Sequence, residues 1–484
     1  MRQFVMVAML ILALPLLAAD APEAAKVAAW VRALPAVDPD ASYFGALGAL
    51  STNHIGPATD TIRSVGPAGF YANASAVAQA KSAIAGRASY LRALTAGSIF
   101  WLRDVQNLPW GLVEVARGAY RYDLIDAIVL QAQASGARYV GTVMPYAGWE
   151  LRAAGYAPTT DEQCLRLFDE DFFYLKFDQR MDRYRDEAQW LAYLQRVVER
   201  YDGDGIDDMP GLTAPVRYWQ IHNEPEGERC GLFRDDAAAF VQLMRKSSEV
   251  VHLACASCQV VNGGAAFPFV RENQVPPLRG ATFWRDYSAA GGAAFVDVIA
   301  VHYNQGKDAD HGNVADFEVQ IARARELLGA KPVWVTEFGV IVGDRGNFKG
   351  LTEVEAGAWY VRMYAAGLTG GAVRFISDAP GFIESDGTTY LPFYVQKLVQ
   401  AKLGGFMSAT KLAAGQYKFR VGSSDVYVLW TGLPAGLTGT ATIADLYGNE
   451  STVDLTTARL TFSESAPLIV TKGGVAMRRR ASRR

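Results

Sequence analysis

The chain has 484 residues, 50% of them hydrophobic and 20% charged, with a formal net charge of -3 at pH 7. These figures exclude a disordered or fibrous protein. The length asks for one large unit and one small one, and the charge lacks the basic field that a nucleic-acid partner requires.

In chain order, the N-terminus reads first as a secretory signal peptide over residues 1–21. Arg2 supplies the positive start, residues 4–17 the apolar run, and Ala18, Ala19 and Ala21 the small residues before a cleavage site. The run is short for a membrane span, with an uncleaved anchor as the alternative. No later segment is long and apolar enough to cross a bilayer. The expected protein is secreted or periplasmic, with no membrane attachment after cleavage.

From about residue 98, short apolar runs alternate with longer amphipathic stretches, the pattern of a parallel α/β fold. Strands are predicted at 98–104, 138–145, 216–222, 259–263, 297–303, 332–338 and 372–377. Helices are predicted near 122–136, 186–201, 235–254, 281–291, 315–329, 353–369 and 392–403. In the second of these, Trp190, Leu191, Leu194, Val197 and Val198 share one helical face. An eighth strand has its candidate at 43–51, whereas 52–86, rich in Gly, Ala and Ser, shows no readable pattern. Eight strand–helix units within 22–407 predict an α/β fold, a (β/α)8 TIM barrel. Beyond residue 408 the segments 417–421, 426–430, 440–447 and 458–464 are short, β-rich and separated by Gly, Pro and Asn. They predict a small C-terminal all-β domain, a β-sandwich over 408–474. Residues 475–484 carry five arginines and read as a solvated basic tail.

Two strands end in a lone glutamate. Tyr218-Trp219-Gln220-Ile221-His222 runs into Asn223-Glu224 and is stopped by Pro225. Val333-Trp334-Val335-Thr336 runs into Glu337. In a barrel of this kind catalytic groups sit at the C-terminal ends of strands. A carboxylate there is partly desolvated, which moves it toward the range of a general acid. A glutamate that interrupts an apolar run is costly without a partner or a task. Counting the weak first strand, Glu224 ends strand four and Glu337 strand seven, which places two carboxylates across one pocket. That is the arrangement of glycoside hydrolysis.

With these motifs the chain resembles clan A of the glycoside hydrolases, nearest in style to family 39 and the related family 5. The stretches that carry the likeness are 219–226 and 333–339, with Trp110, Gly118, Tyr120 and Asp123 echoing the loop and helix after strand two. The resemblance implies a retaining β-glycosidase with Glu224 as acid/base and Glu337 as nucleophile. It further implies Asn223 as a hydrogen-bond donor to a substrate hydroxyl and Arg103 as a partner of the nucleophile. His302 and Tyr303 fall where the clan places a residue beside the nucleophile. Adjacent strand residues face opposite ways, so only one of the two is expected at Glu337. Strand eight reads Phe375-Ile376-Ser377-Asp378, without the Trp that many clan members carry there. Trp149 or Phe382 is the substitute stacking surface, and the substrate is a carbohydrate.

Other chemistries lack their signatures. There is no Walker A loop, no GxGxxG after a strand and no GxSxG elbow. His54, His222, His252, His302 and His311 form no H-E-x-x-H or H-x-H pair, so no metal and no cofactor are expected. Residues 201–208 look like a calcium loop but miss the EF-hand glycine and glutamate positions. A hydrogen-bonded turn is the expectation there, with a cation site outside the EF-hand pattern as the alternative. Export makes the four cysteines potential disulfide partners. Cys255 and Cys258 lack a thioredoxin-like context, and a Cys164–Cys230 bridge at the rim of the site is one of the open pairings. The competing functions are a catalytically silent carbohydrate-binding barrel and a transglycosidase using the same intermediate.

Overall fold

In the computed structural model, which describes residues 20–50, 57–104, 108–154, 184–226, 236–266, 279–304, 313–343, 350–378, 381–384 and 386–473, the apolar runs become one parallel ring. Its strands are β1 (Phe44–Leu47), β2 (Ile99–Arg103), β3 (Arg138–Met144), β4 (Tyr218–Ile221), β5 (Gln259–Val261), β6 (Ile299–Asn304), β7 (Val333–Gly339) and β8 (Ala372–Asp378). They pair in the order β5-β4-β3-β2-β1-β8-β7-β6. Parallel bridges Val261–Val298 and Ala265–Val301 then join β5 to β6 and close the barrel. The candidate first strand lies where the sequence puts it, between β2 and β8.

The helices outside the ring are α1 (Pro57–Ala72), α2 (Ala74–Gly86), α3 (Ala88–Ala96), α4 (Asp123–Ala134), α5 (Glu187–Tyr201), α6 (Ala237–Ala254), α7 (Arg279–Ala289), α8 (Val314–Leu328), α9 (Glu353–Gly370) and α10 (Leu391–Leu403). Side-chain caps start several of them: Asp186, Asp236 and Asn313 each accept the N3 backbone N–H, and Thr352 with Glu355 forms a capping box. The stretch without a readable pattern is helical. Alanine carries α2, with Ala76, Val77, Ala80 and Ile84 buried, and α1 is kinked at Gly66, whose φ is 72°, just before Pro67.

The barrel is filled. Trp101 of β2, Tyr218 of β4 and Trp334 of β7 meet at ring separations of 4.4 to 5.3 Å. Val140, Val261, Ala300 and Ile376 from four further strands complete the plug. Because side chains alternate along a strand, the inward residues one step later are Arg103, Gln220 and His302. Those positions build the floor of the mouth.

After the barrel comes a six-stranded antiparallel sheet: β9 (Ser408–Ala413), β10 (Gln416–Val421), β11 (Ser424–Leu429), β12 (Thr440–Ala444), β13 (Glu450–Asp454) and β14 (Leu468–Lys472), in the order β9-β10-β11-β14-β12-β13. Residues 458–464 form no strand. Leu460 and Phe462 cover the core of the sheet as loop residues, and Leu468–Lys472 supplies the pairing partner instead. The N-terminal segment runs back over both parts: Ala28 N–H donates to Tyr447 O at 2.9 Å and the Trp30 indole to Gly448 O at 2.6 Å.

Cys255 and Cys258 are joined as a disulfide between α6 and β5. Cys164, Cys230, His54, His311, the apolar leader at 1–19 and the arginine tail from 475 lie outside the described residues. Among the described residues no helix is long and apolar enough to cross a membrane.

Candidate active site

Arg103, the last residue of β2, organises the mouth. Its guanidinium is fully buried and ends among four acceptors. Nε donates to Gln220 Oε1 at 2.9 Å, Nη1 to Thr336 O at 3.1 Å and to Glu337 Oε1 at 3.0 Å, and Nη2 to Asn223 Oδ1. A buried, bonded cation at 3.0 Å favours the ionised form of Glu337.

Glu337 reaches the mouth through an irregularity. Regular alternation from the inward Trp334 would turn Thr336 inward and Glu337 outward. Against β6, however, the register shifts between Val335 and Glu337, so that Val335 faces Val301 and Glu337 faces His302. One extra residue in β7 re-aims the carboxylate, a known use of β-bulges beside active sites.

Glu224 is set by a strained turn. His222 and Glu224 have φ of 72° and 44°, two of the four non-glycine residues with positive φ among those described. Such conformations cost on the order of 1–3 kcal/mol each and cluster at functional sites. The turn is pinned on both sides: His222 N–H donates to Val143 O at 2.8 Å and Glu224 N–H to Gly263 O at 2.6 Å.

His302 joins the two carboxylates. Its Nδ1 lies 2.7 Å from Glu224 Oε1 and 3.6 Å from Glu337 Oε2. The facing oxygens of Glu224 and Glu337 and the His302 nitrogen all fall within 4.8 Å of one another. Beneath the ring, Gly264 (φ 72°) leaves room that a Cβ would fill, since it would stand 2.1 Å from His302 Nε2.

The structure therefore gathers Arg103, Asn223, Glu224, His302 and Glu337. It does not gather Tyr303 and Trp149. Tyr303 faces outward, as alternation requires of the neighbour of His302. Its hydroxyl donates to Asn313 O at 2.9 Å and its ring packs on Phe317 at 4.7 Å. The half-buried Trp149 commits its indole N–H to Glu114 O at 2.6 Å and lies edge-on to Trp110. Phe382 is fully buried against Tyr360 and offers no stacking surface.

Two residues of the site escape the sequence reasoning. Gln220 couples Arg103 to the turn, its Nε2 donating to His222 O at 3.1 Å. Its signal was a polar side chain inside an apolar strand. Glu226 is a fully buried carboxyl whose Oε1 accepts Ala266 N–H at 2.6 Å. Burial, opposed by the hydrogen bond of Trp284, pushes it up to about 7.

Among the described residues two groups of side chains are close enough to share a cation, Glu224–His302–Glu337 and Asp202–Asp204–Asp208. The first already holds the Arg103 cation on Glu337. In the second the carboxylates are occupied as acceptors for the backbone N–H groups of Gly203, Asp204, Gly205 and Ile206, at 2.7 to 3.3 Å. The expected hydrogen-bonded turn is what forms there, at the end of the barrel opposite the glutamates.

Residues 205–354 match the glycosyl hydrolase catalytic core family. This stretch runs from just before β4 to the start of α9, so it contains both glutamates and His302. The resemblance to glycoside hydrolases read from the motifs is borne out. The fold is shared with a family 39 glycoside hydrolase from the gut symbiont Bacteroides cellulosilyticus WH2, at 17% identity over 80% of this chain and 78% of that one, with a TM-score of 0.53. A GH30 endoxylanase from Clostridium papyrosolvens C71 is similar at 12% identity over 80% of this chain and 92% of that one, with a TM-score of 0.50. No curated protein matches the chain.

Proposed function

We propose that this protein is a retaining glycoside hydrolase acting on β-glycosidic bonds, with Glu224 as acid/base and Glu337 as nucleophile. One observation carries the proposal: facing carboxylate oxygens of the pair lie within 4.8 Å. Double displacement with a glycosyl-enzyme needs carboxyl groups about 5–5.5 Å apart, and inversion about 6.5–9.5 Å.

The steps follow from the side chains. Arg103 holds Glu337 as the carboxylate, whose oxygen attacks the anomeric carbon. Glu224 gives its proton to the glycosidic oxygen, the bond to the leaving group breaks, and a glycosyl ester remains on Glu337. Glu224, now a carboxylate oriented by the His302 ring, takes a proton from water as that water attacks the same carbon. The ester breaks and the sugar leaves with its configuration retained. Asn223 accepts from Arg103 through its carbonyl, which directs its amide nitrogen to a substrate hydroxyl. Proton NMR of the first product from an aryl β-glycoside tests the proposal. The β-anomer is expected first; the α-anomer would contradict it, and a first product that passes to an added sugar acceptor identifies a transglycosidase.

The apolar leader supports export. Its end falls at or before Ala19 in our reading, because Asp20 and Ala21 serve the fold: Tyr394 OH donates to Asp20 Oδ1 at 2.9 Å, and Ala21 N–H to Thr389 O at 2.9 Å.

A further inference from the structure

Several hydrogen bonds tie the short segment 262–266, which follows β5, to its surroundings near Glu224 and the His302 ring that orients it. Gly263 O accepts Glu224 N–H at 2.6 Å, and Ala265 O accepts His302 N–H at 2.8 Å. Asn262 exchanges side-chain bonds with both backbone groups of Ala300, at 3.1 and 2.5 Å. Packing adds to this: Gly264 lies against the His302 ring, and Gly263 against Pro225, where a Cβ would stand 2.9 Å from Cδ. The segment is thus a strap between the strained turn that carries Glu224 and the strand that carries His302. Gln320 Nε2 donates to Ala265 O at 3.2 Å, and the last residue, Ala266, is fastened by the fully buried Glu226, which accepts its N–H at 2.6 Å.

We propose that Glu226 is a positioning residue for proton donation: its buried carboxyl holds the 262–266 strap in place, and the strap aims Glu224, together with the His302 ring that orients it, at the glycosidic oxygen. Glu226 does not touch the substrate. It lies two residues beyond Glu224 on the same chain and pulls the strap back toward it, so the turn and the strap close on each other. The inference rests on the assignment of Glu224 as acid/base.

Leaving-group dependence tests it, because kcat/KM reports only the first, glycosylating step. A 2,4-dinitrophenolate departs without a proton, whereas a phenolate needs the acid. Glu226→Met keeps the volume and removes the acceptor; Glu226→Gln keeps an oxygen for Ala266 N–H. For Glu226→Met we expect kcat/KM on the phenyl glycoside to fall by roughly 10- to 100-fold, and on the dinitrophenyl glycoside by less than about threefold, as misplacement of a proton donor predicts. Glu226→Gln should restore both to within about threefold of the wild type. Equal losses on both substrates, no loss on either, or a Glu226→Gln as impaired as Glu226→Met would overturn the proposal. If Glu226→Met does not fold, Glu226→Asp, which shortens the strap's anchor, should show the same split in smaller measure. Failure of both to fold would assign Glu226 to stability and also overturn it. Glu224→Gln run in parallel separates the two levels. Without a leaving-group split there, the acid/base assignment itself falls; with one, the fate of Glu226 is decided on its own.

Discussion

At the scale of single residues, the site depends on where charge is buried and what meets it. Arg103 offers a planar fork to four acceptors at once, a geometry that lysine cannot reproduce. Glu226 is the opposite case, a carboxyl whose protonated form burial favours. Its folded value of about 7 lies above the ordinary 4.5, so the folded chain holds a proton that the unfolded chain has released across that interval. The stability this contributes is full below about pH 4.5 and is lost as pH rises through 7. Relative to Glu226→Gln, the wild type is therefore expected to lose roughly 3 kcal/mol over that window. Thermal denaturation of the two proteins from pH 4.5 to 7.5 measures it; a pH-independent difference would contradict the burial argument. Glu224, Arg103 and His302 were legible in the sequence because strand ends are polar only for a reason. Glu226 was not, because five residues beyond the end of β4 nothing in the pattern distinguishes a buried carboxyl from a solvated one. The choice between His302 and Tyr303 follows alternation once the inward face of β6 is known from Ala300.

At the scale of elements, regular periodicity locates strands and hides their exceptions. The seven strands and seven helices from residue 98 onward sit within a few residues of where hydrophobic period places them. The register shift in β7 does not announce itself: Thr336 and Glu337 are both polar, and only the pairing with β6 shows which one faces inward. The helices α1 and α2 were unreadable because alanine and glycine supply little hydrophobic contrast, so no apolar face stands out. The strap 262–266 was equally silent, though its two glycines are its clearest requirement. Gly264→Ala is expected to lower kcat at least tenfold, since positive φ disfavours alanine and the new methyl meets the His302 ring. Steady-state kinetics of Gly264→Ala decides this, and unchanged kcat would mean that the strap does not govern His302.

At the scale of the whole molecule, barrel and sheet share helices. Twelve of the 18 residues of α9 and 11 of the 13 of α10 are buried. A helix buried nearly all round needs cover on its outer side, and the C-terminal sheet with the N-terminal segment supplies it. Tyr417 OH donates to Glu318 at 2.7 Å, Arg362 meets Glu464 at 2.6 Å, and the Glu353 carboxylate accepts the N–H groups of Glu23, Ala24 and Leu391 at 3.0 to 3.2 Å. We therefore expect one cooperative unfolding transition by calorimetry, and a chain ending at 407 that does not fold. Two separated transitions, or a stable truncated barrel, would show that the sheet is an independent appendage. The division into barrel and all-β region was readable from the change of period near 408; this mutual dependence was not, since it resides in contacts between distant segments.

The central claim is that Glu337 forms the covalent bond to the sugar, and Glu337→Ala with added azide tests it most directly. The variant is expected to lose turnover of an activated aryl β-glycoside by several orders of magnitude, and azide in the vacated space should restore turnover and yield the α-glycosyl azide. Wild-type turnover in Glu337→Ala, or rescue that yields the β-azide, would contradict the account.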